Sequence, residues 1–274
     1  AGKWLTSRLD ALRSPELRAE IEAGAGLKTE LRPYQKIGVQ WLMTLRGLQL
    51  GGCLADDMGL GKTIQVLGVL SMSRRNKEEG TDLLVVPASL LDNWRLEIER
   101  FAPELNVLIA HPSRISSPEL KKLSKKKVDA QDAVITTYGT AMRIEWIKSY
   151  PWRNVILDDA QAIKNPSAKQ TKAFKSLSSK WRLVLTGTPV ENRLGDLWSI
   201  FDFLNPGLLG SAKAFNSFCK LMASGKQGGG YAPLRKLVKP YIMRRLKTDK
   251  SVIADLPDKT EVNAYCLLSK RQAA

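Results

Sequence analysis

The run Leu54-Ala-Asp-Asp-Met-Gly-Leu-Gly-Lys-Thr63 has the residue types that bind a phosphate chain. Gly59 and Gly61 allow backbone N–H groups to close around phosphate oxygens, and a helix starting at Lys62 would add the positive end of its dipole. Asp57, Met58, Leu60 and the two glycines then wrap the nucleotide. The Lys62 ammonium reaches the β- and γ-phosphates, and the Thr63 hydroxyl can ligate Mg2+. The usual first glycine of such a loop is replaced by Asp56. Downstream, Val155-Ile-Leu-Asp-Asp159 is an apolar strand ending in two acids, the Walker B arrangement. There Asp158 would hold magnesium through oxygen, and Asp159 would orient and deprotonate an attacking water. Two acids ending a strand usually make a turn; after a phosphate loop they complete an ATP site. Thr186-Gly-Thr-Pro189 also follows an apolar run. Thr186 and Thr188 could sense the γ-phosphate and relay its state, although the tetrapeptide alone also reads as a turn.

These residues need a scaffold that brings distant segments to one edge. Short apolar runs punctuated by turn signals lie at Gly52–Ala55, Leu83–Pro87, Val107–Ala110, Ala133–Tyr138, Val155–Leu157 and Leu183–Leu185. Amphipathic stretches of helical length separate most of them, beginning with Tyr34–Leu50 and its stripe Ile37, Trp41, Leu42 and Leu45. This rhythm predicts an α/β fold, a parallel β-sheet flanked by helices, with ligands at the carboxyl ends of the strands. Helical patterns continue over Ala212–Met222 and Tyr231–Met243, around a Ser224–Gly230 stretch that reads as a flexible loop. Thr260–Leu268 reads as a further strand, and residues 1–28 as a charged helical lead-in.

The chain has 274 residues, three cysteines, one histidine and a formal net charge of +16. Cys53, Cys219 and Cys266 have no paired spacing, so neither a disulfide framework nor a zinc site is expected, and the compartment reads as reducing and intracellular. His111, beside Pro112, reads as a loop residue. No run approaches the ~18 apolar residues of a membrane span, and no signal peptide is visible at the start. The basic excess draws polyanions, with nucleic acid only modestly ahead of a merely soluble basic surface. The lysines at 121, 122, 125, 126 and 127 read as a solvated helix face.

Taken in order, the motifs resemble those of the Swi/Snf-type ATPases, superfamily-two helicase relatives that translocate on double-stranded DNA and remodel protein–DNA complexes. Leu31-Arg-Pro-Tyr-Gln35 looks like the Q motif, which implies that Gln35 reads adenine. Ala55–Thr63 resembles the family's phosphate loop, Val86–Trp94 motif Ia, Ile135–Tyr138 motif Ib, Asp158–Asn165 motif II and Leu185–Leu204 motif III. Met243–Asp249 and Leu256–Glu261 look like the segment leading to a second RecA-like lobe. The resemblance implies a first RecA-like lobe over residues 29–259, with a helical extension at about 206–250 and a linker from 260 to 274. It also implies DNA-backbone contacts by Ser89, Thr136, Thr137, Lys164 and Asn165, and a location at the nucleoid or in the nucleus.

Three departures stand out. Asp159 occupies a position that is Glu in most of the family, one methylene short of the expected base. Gln161 and Ala162 replace the usual His and Arg, a variant associated with bacterial members. Nothing after Glu261 resembles the second lobe, which in the family supplies an arginine finger, so turnover by these residues alone is expected to be very low. Two other readings stay open: a non-catalytic nucleotide- or DNA-binding scaffold, and the translocating part of a restriction or repair enzyme.

Overall fold

The structure, a computed structural model, describes residues 22, 24–188, 194–223 and 230–249. Its centre is a seven-stranded sheet: β1 (Gly52–Leu54), β2 (Asp82–Val86), β3 (Val107–Ile109), β4 (Ala133–Thr137), β5 (Trp152–Asp158), β6 (Ser179–Leu185) and β7 (Ile242–Met243). The spatial order is β3-β4-β2-β5-β6-β1-β7, and every neighbouring pair is parallel. Six of these strands coincide with the expected apolar runs to within a few residues.

The alternation of a β-strand divides the strand side chains between two cores. Leu54, Leu84, Val86, Ile135, Ile156, Leu183 and Leu185 face the helices Pro33–Gly47, Lys62–Arg75 and Leu91–Phe101. Cys53, Leu83, Val85, Val134, Val155, Leu157 and Val184 face the other layer, in which Tyr138, Ile147, Phe174, Ile200 and Phe203 pack. Both faces are covered, so the strand centres are apolar on both sides, as a parallel sheet requires. Each large side chain so buried contributes roughly 1.5–3 kcal/mol. Phe215, Leu234 and Val238 form a smaller cluster with Leu197 and Phe201 at the helical extension.

At the amino edge of the sheet, β2 and β5 are locked by charge. Arg153 donates to Asp82 at 2.7 Å, and Asn154 adds a bond to the same carboxylate at 2.7 Å. Both charged groups are buried, which makes the pair costly to break from one side, about 3–5 kcal/mol for loss of one partner. This fastening sets the register at the end opposite the motifs.

Two expectations are corrected. Tyr231–Met243 is not one helix: helix Ala232–Val238 gives way to a 3-10 turn at Lys239–Tyr241 and then to β7. Lys239 keeps helical backbone, but Pro240 has no N–H to continue the helical hydrogen bonds, and by Ile242 the chain is extended. The chain leaves the helix and adds Ile242–Met243 to the open side of β1 instead. In the first helix, Trp41, Leu42 and Leu45 are buried as expected, but Ile37 is 36% exposed. Most of the lead-in, the Ser224–Gly230 loop apart from Gly230, Pro189, and the readings at Leu256–Glu261 and Thr260–Leu268 lie outside the described residues. Among the described residues no helix is long and apolar enough to cross a membrane.

Candidate functional site

The register explains how the motifs meet. Asp158 pairs with Leu185, Leu185 with Leu54, and Leu54 with Met243, so four carboxyl ends stand in one row. From that row emerge Asp158 and Asp159, Thr186, the Asp56–Thr63 loop and the Arg244–Asp249 segment. On the other side, Val86 pairs with Thr137, so Ser89 and Tyr138 leave from the same edge. The expected site residues therefore converge, with Gln35 added from the first helix.

The phosphate loop runs from β1 into the helix Lys62–Arg75. Gly59 and Gly61 have φ of 83° and 76°, left-handed conformations that favour glycine. A Cβ on Gly61 would lie 2.5 Å from Gln35 Nε2, so a side chain there would also have to displace the Gln35 amide. Lys62 Nζ donates to the carbonyl oxygens of Asp56 at 2.6 Å and Asp57 at 3.4 Å. Burial lowers the Lys62 pKa below the ordinary lysine value; Asp56, Asp158 and Asp57 oppose the shift, and nearby Lys247 adds to it. Gln35 Nε2 donates to Leu60 O at 3.3 Å, and Gln35 Oε1 accepts from Arg32 N at 3.0 Å. Gln35 thus joins the first helix to the loop. Met58 is 80% exposed, and its side chain approaches Gly187 of the Thr186–Thr188 turn. Within that turn, Thr186 Oγ1 accepts from Thr188 N at 3.1 Å.

Asp158 Oδ2 accepts from Trp94 Nε1 at 2.7 Å. Burial raises the Asp158 pKa, while Trp94 and Lys62 act in the opposite direction. One turn along the helix from Trp94, Glu97 lies beside Thr63, and burial raises its pKa too. Tyr138 donates to the carbonyl oxygens of Asp158 at 2.8 Å and Asp159 at 3.3 Å, pinning the backbone of both acids. Asp159 has a φ of 63° and accepts from Gln161 N at 3.2 Å. An Asx turn of this kind suits aspartate, which tolerates left-handed backbone.

The donor set suits magnesium. Thr63 and Asp158 offer only hard oxygen, and Mg2+ commonly takes one or two protein ligands beside water and substrate phosphates. Among the described residues no cluster of three or more His, Cys, Asp and Glu offers a denser metal cage.

The sequence alone did not reveal Glu97, the Trp94 bond to Asp158 or the bonds from Arg245 to Asp56. The spacing of Trp94 and Glu97, three apart on a helix and so on one face, was the available signal for the first two. The expected DNA contacts divide by exposure. Ser89 and Asn165 are exposed. Thr136 is fully buried and donates to Ala110 O at 2.7 Å, and Thr137 caps the helix that follows β4 by accepting from Thr140 N. Lys164 is also buried, close enough to influence Cys53, whose thiol is pushed up to about 12 by burial. Lys164, expected at the DNA backbone, instead lies inward beside the buried Ile163.

A parallel sheet with a phosphate loop, a strand-terminal acid pair and a threonine turn in one row defines a RecA-like ATPase lobe of the helicase type. The family model of the SNF2-related domain matches residues 34–274, and the chain belongs to that family. It is 38% identical over 275 residues to the "Putative ATP-dependent helicase/translocase YwqA" of Bacillus subtilis, covering 99% of this chain and 30% of that protein. It is 34% identical over 295 residues to the "TATA-binding protein-associated factor mot1" of Aspergillus fumigatus, covering 98% of this chain and 15% of that protein. Among solved structures, the Sulfolobus solfataricus SWI2/SNF2 ATPase core in complex with dsDNA matches with a TM-score of 0.77 and 42% identity, over 90% of this chain and 51% of that one. The chain therefore spans about half the length of that core and less than a third of these two relatives.

Proposed function

We propose that this chain is the first ATPase lobe of a motor that moves along double-stranded DNA and remodels protein–DNA complexes inside the cell, at the nucleoid or in the nucleus. The observation that carries the reading is the row of strand ends, which sets a nucleotide site and the exposed loops at Ser89 and Asn165 on one edge. The similarity to a core solved with duplex DNA supports the same assignment. Residues 260–274 lead, in this reading, toward a second lobe of the same protein.

In the proposed reaction Asp57–Thr63 hold the triphosphate, and Lys62 faces its β- and γ-phosphates. Bound magnesium, held by Thr63 and Asp158, would offset charge on the phosphates. Asp159 positions the water, while Trp94 and Tyr138 hold the two acids in place. Thr186 and Thr188 stand beside the phosphate loop, through Met58 and Gly187, where they would relay the state of the γ-phosphate. The test is ATP turnover with and without duplex DNA, on this chain and on one extended to the length of its relatives. A version of full length that binds ATP but does not hydrolyse it, with or without DNA, would favour the non-catalytic scaffold reading.

Two further outcomes are expected. Gln35→Ala should lower the preference for ATP over GTP, measured by competition binding; unchanged preference would remove Gln35 from adenine reading. DNA binding should be weak, indifferent to sequence and strongly salt-dependent, with log K falling by roughly 0.9 per phosphate contact for each decade of salt. Ser89→Ala and Asn165→Ala should weaken binding about equally on all duplexes, since backbone contacts position without reading bases. Affinity that does not change with salt would overturn the electrostatic account.

A further inference from the structure

Asp56, at the place where a phosphate loop usually has its first glycine, is fully buried. Its carboxylate is taken up almost entirely by one residue from the far end of the described chain. Arg245 donates from Nε to Oδ1 at 2.9 Å, from its backbone N to Oδ1 at 3.1 Å, and from a terminal nitrogen to Oδ2. The same guanidinium donates to Gln65 Oε1 at 2.7 Å and to Tyr34 O, and it stacks on the Tyr34 ring with its carbon 5.1 Å from the centroid. Gln65 closes the circuit by donating to Asp56 Oδ2 at 3.2 Å and to Gly61 O at 3.1 Å.

The backbones are laced as well. Ala55 N donates to Met243 O at 2.7 Å, Asp57 N to Arg245 O at 3.0 Å, and Lys247 N to Asp57 Oδ2 at 3.1 Å. Residues 243–247 thus form one wall of the phosphate loop. They also carry a second cation to its mouth: a Cβ on Gly59 would meet the Lys247 ammonium at 2.8 Å. Lys247 is exposed and has no ion-pair partner closer than 4 Å among the described residues.

We propose that the 243–247 segment is a working part of the nucleotide site, with Arg245 positioning the loop through Asp56 and Lys247 contacting the bound triphosphate. This deepens the ATP reading above and rests on it. A planar guanidinium that fills both oxygens of a buried carboxylate fixes the loop's shape as a lysine could not. Lys247 meets phosphate only while the segment is docked, so nucleotide has a higher affinity for the docked state. That difference is what a ligand needs to shift an equilibrium. By reciprocity, docking tightens nucleotide by the same factor that nucleotide tightens docking.

The test uses the 274-residue chain with ATP and magnesium, reading affinity by calorimetry and segment docking by hydrogen exchange at the Arg245 and Lys247 amides. ATP should slow exchange at both amides, and Lys247→Met should reduce that slowing while leaving exchange without nucleotide unchanged. Arg245→Lys should weaken ATP on the order of tenfold, a coupling within the usual allosteric range. Because an unpaired Asp56 endangers folding, Asp56→Asn combined with Arg245→Gln supplies a neutral pair of similar shape. It should melt close to the original yet show faster exchange in the segment and weaker ATP binding. Unchanged ATP affinity in both Arg245 variants and in Lys247→Met, with exchange indifferent to ATP, would overturn the proposal and leave the ATP reading standing. Failure of the unmodified chain to bind ATP would overturn both.

Discussion

Lys62→Ala is expected to weaken ATP binding by roughly 10- to 100-fold, the range for loss of a hydrogen bond to a charged partner. The lysine sits where its ammonium donates to the Asp56 carbonyl at 2.6 Å, within reach of a phosphate chain cradled by the glycines at 59 and 61. Removing it takes away the one cation that the loop itself supplies. Thermal stability should change little, because Lys62 is only partly buried and makes no ion pair with a buried partner. Calorimetry in which both forms bind ATP equally would overturn the loop assignment, whereas a lower melting temperature with unchanged affinity would point to a structural role.

Supplying the rest of a relative-length chain is expected to raise DNA-stimulated turnover by on the order of 10³ to 10⁵, the usual effect of an arginine delivered across the γ-phosphate. Arg245, whose guanidinium sits beside the loop, is committed to Asp56 and is not placed to serve that role. The competing reason to expect low turnover from these residues alone is Asp159. Its carboxylate is turned back to its own backbone, accepting from Gln161 N at 3.2 Å, and a base misplaced by ~1 Å costs ~100-fold. In energy the comparison is ~4–7 kcal/mol against ~3 kcal/mol, so the missing charge is expected to dominate. Turnover restored in the extended protein with Asp159 in place would agree with that ranking; restoration only by Asp159→Glu would reverse it. Robust DNA-stimulated hydrolysis by these 274 residues alone would remove the idea of a site divided between lobes.

Much of this arrangement was legible from residues alone because strand and loop signals coincide. Leu83–Pro87 and Ala133–Tyr138 are rich in aliphatic and β-branched residues and are followed by turn or helix signals, and the structure has strands there. The loop glycines announce their backbone conformation by lacking a side chain. What was not legible depends on tertiary choice. Ile242 and Met243 carry no strand signal of their own; they pair because β1 has an open side. The bond between Asp56 and Arg245 joins residues 189 positions apart with nothing local to mark either as a partner. Lys164 looks like a surface cation in any sequence window, yet the turn behind Ile163 carries it inward.

The order of the strands also bears on how the chain is made. β1, which carries the phosphate loop, lies between β6 and β7, which follow it in the chain after four and five intervening strands. At roughly 5–20 residues per second, the segment from Leu54 to Ser179 takes on the order of ten seconds to emerge from a ribosome. Throughout that interval β1 has neither neighbour, and both its hydrogen-bonding edges are open to water or to other chains. The nascent phosphate loop therefore cannot be held in its nucleotide-binding shape early, and it becomes competent only when the most distant parts of the lobe close around it.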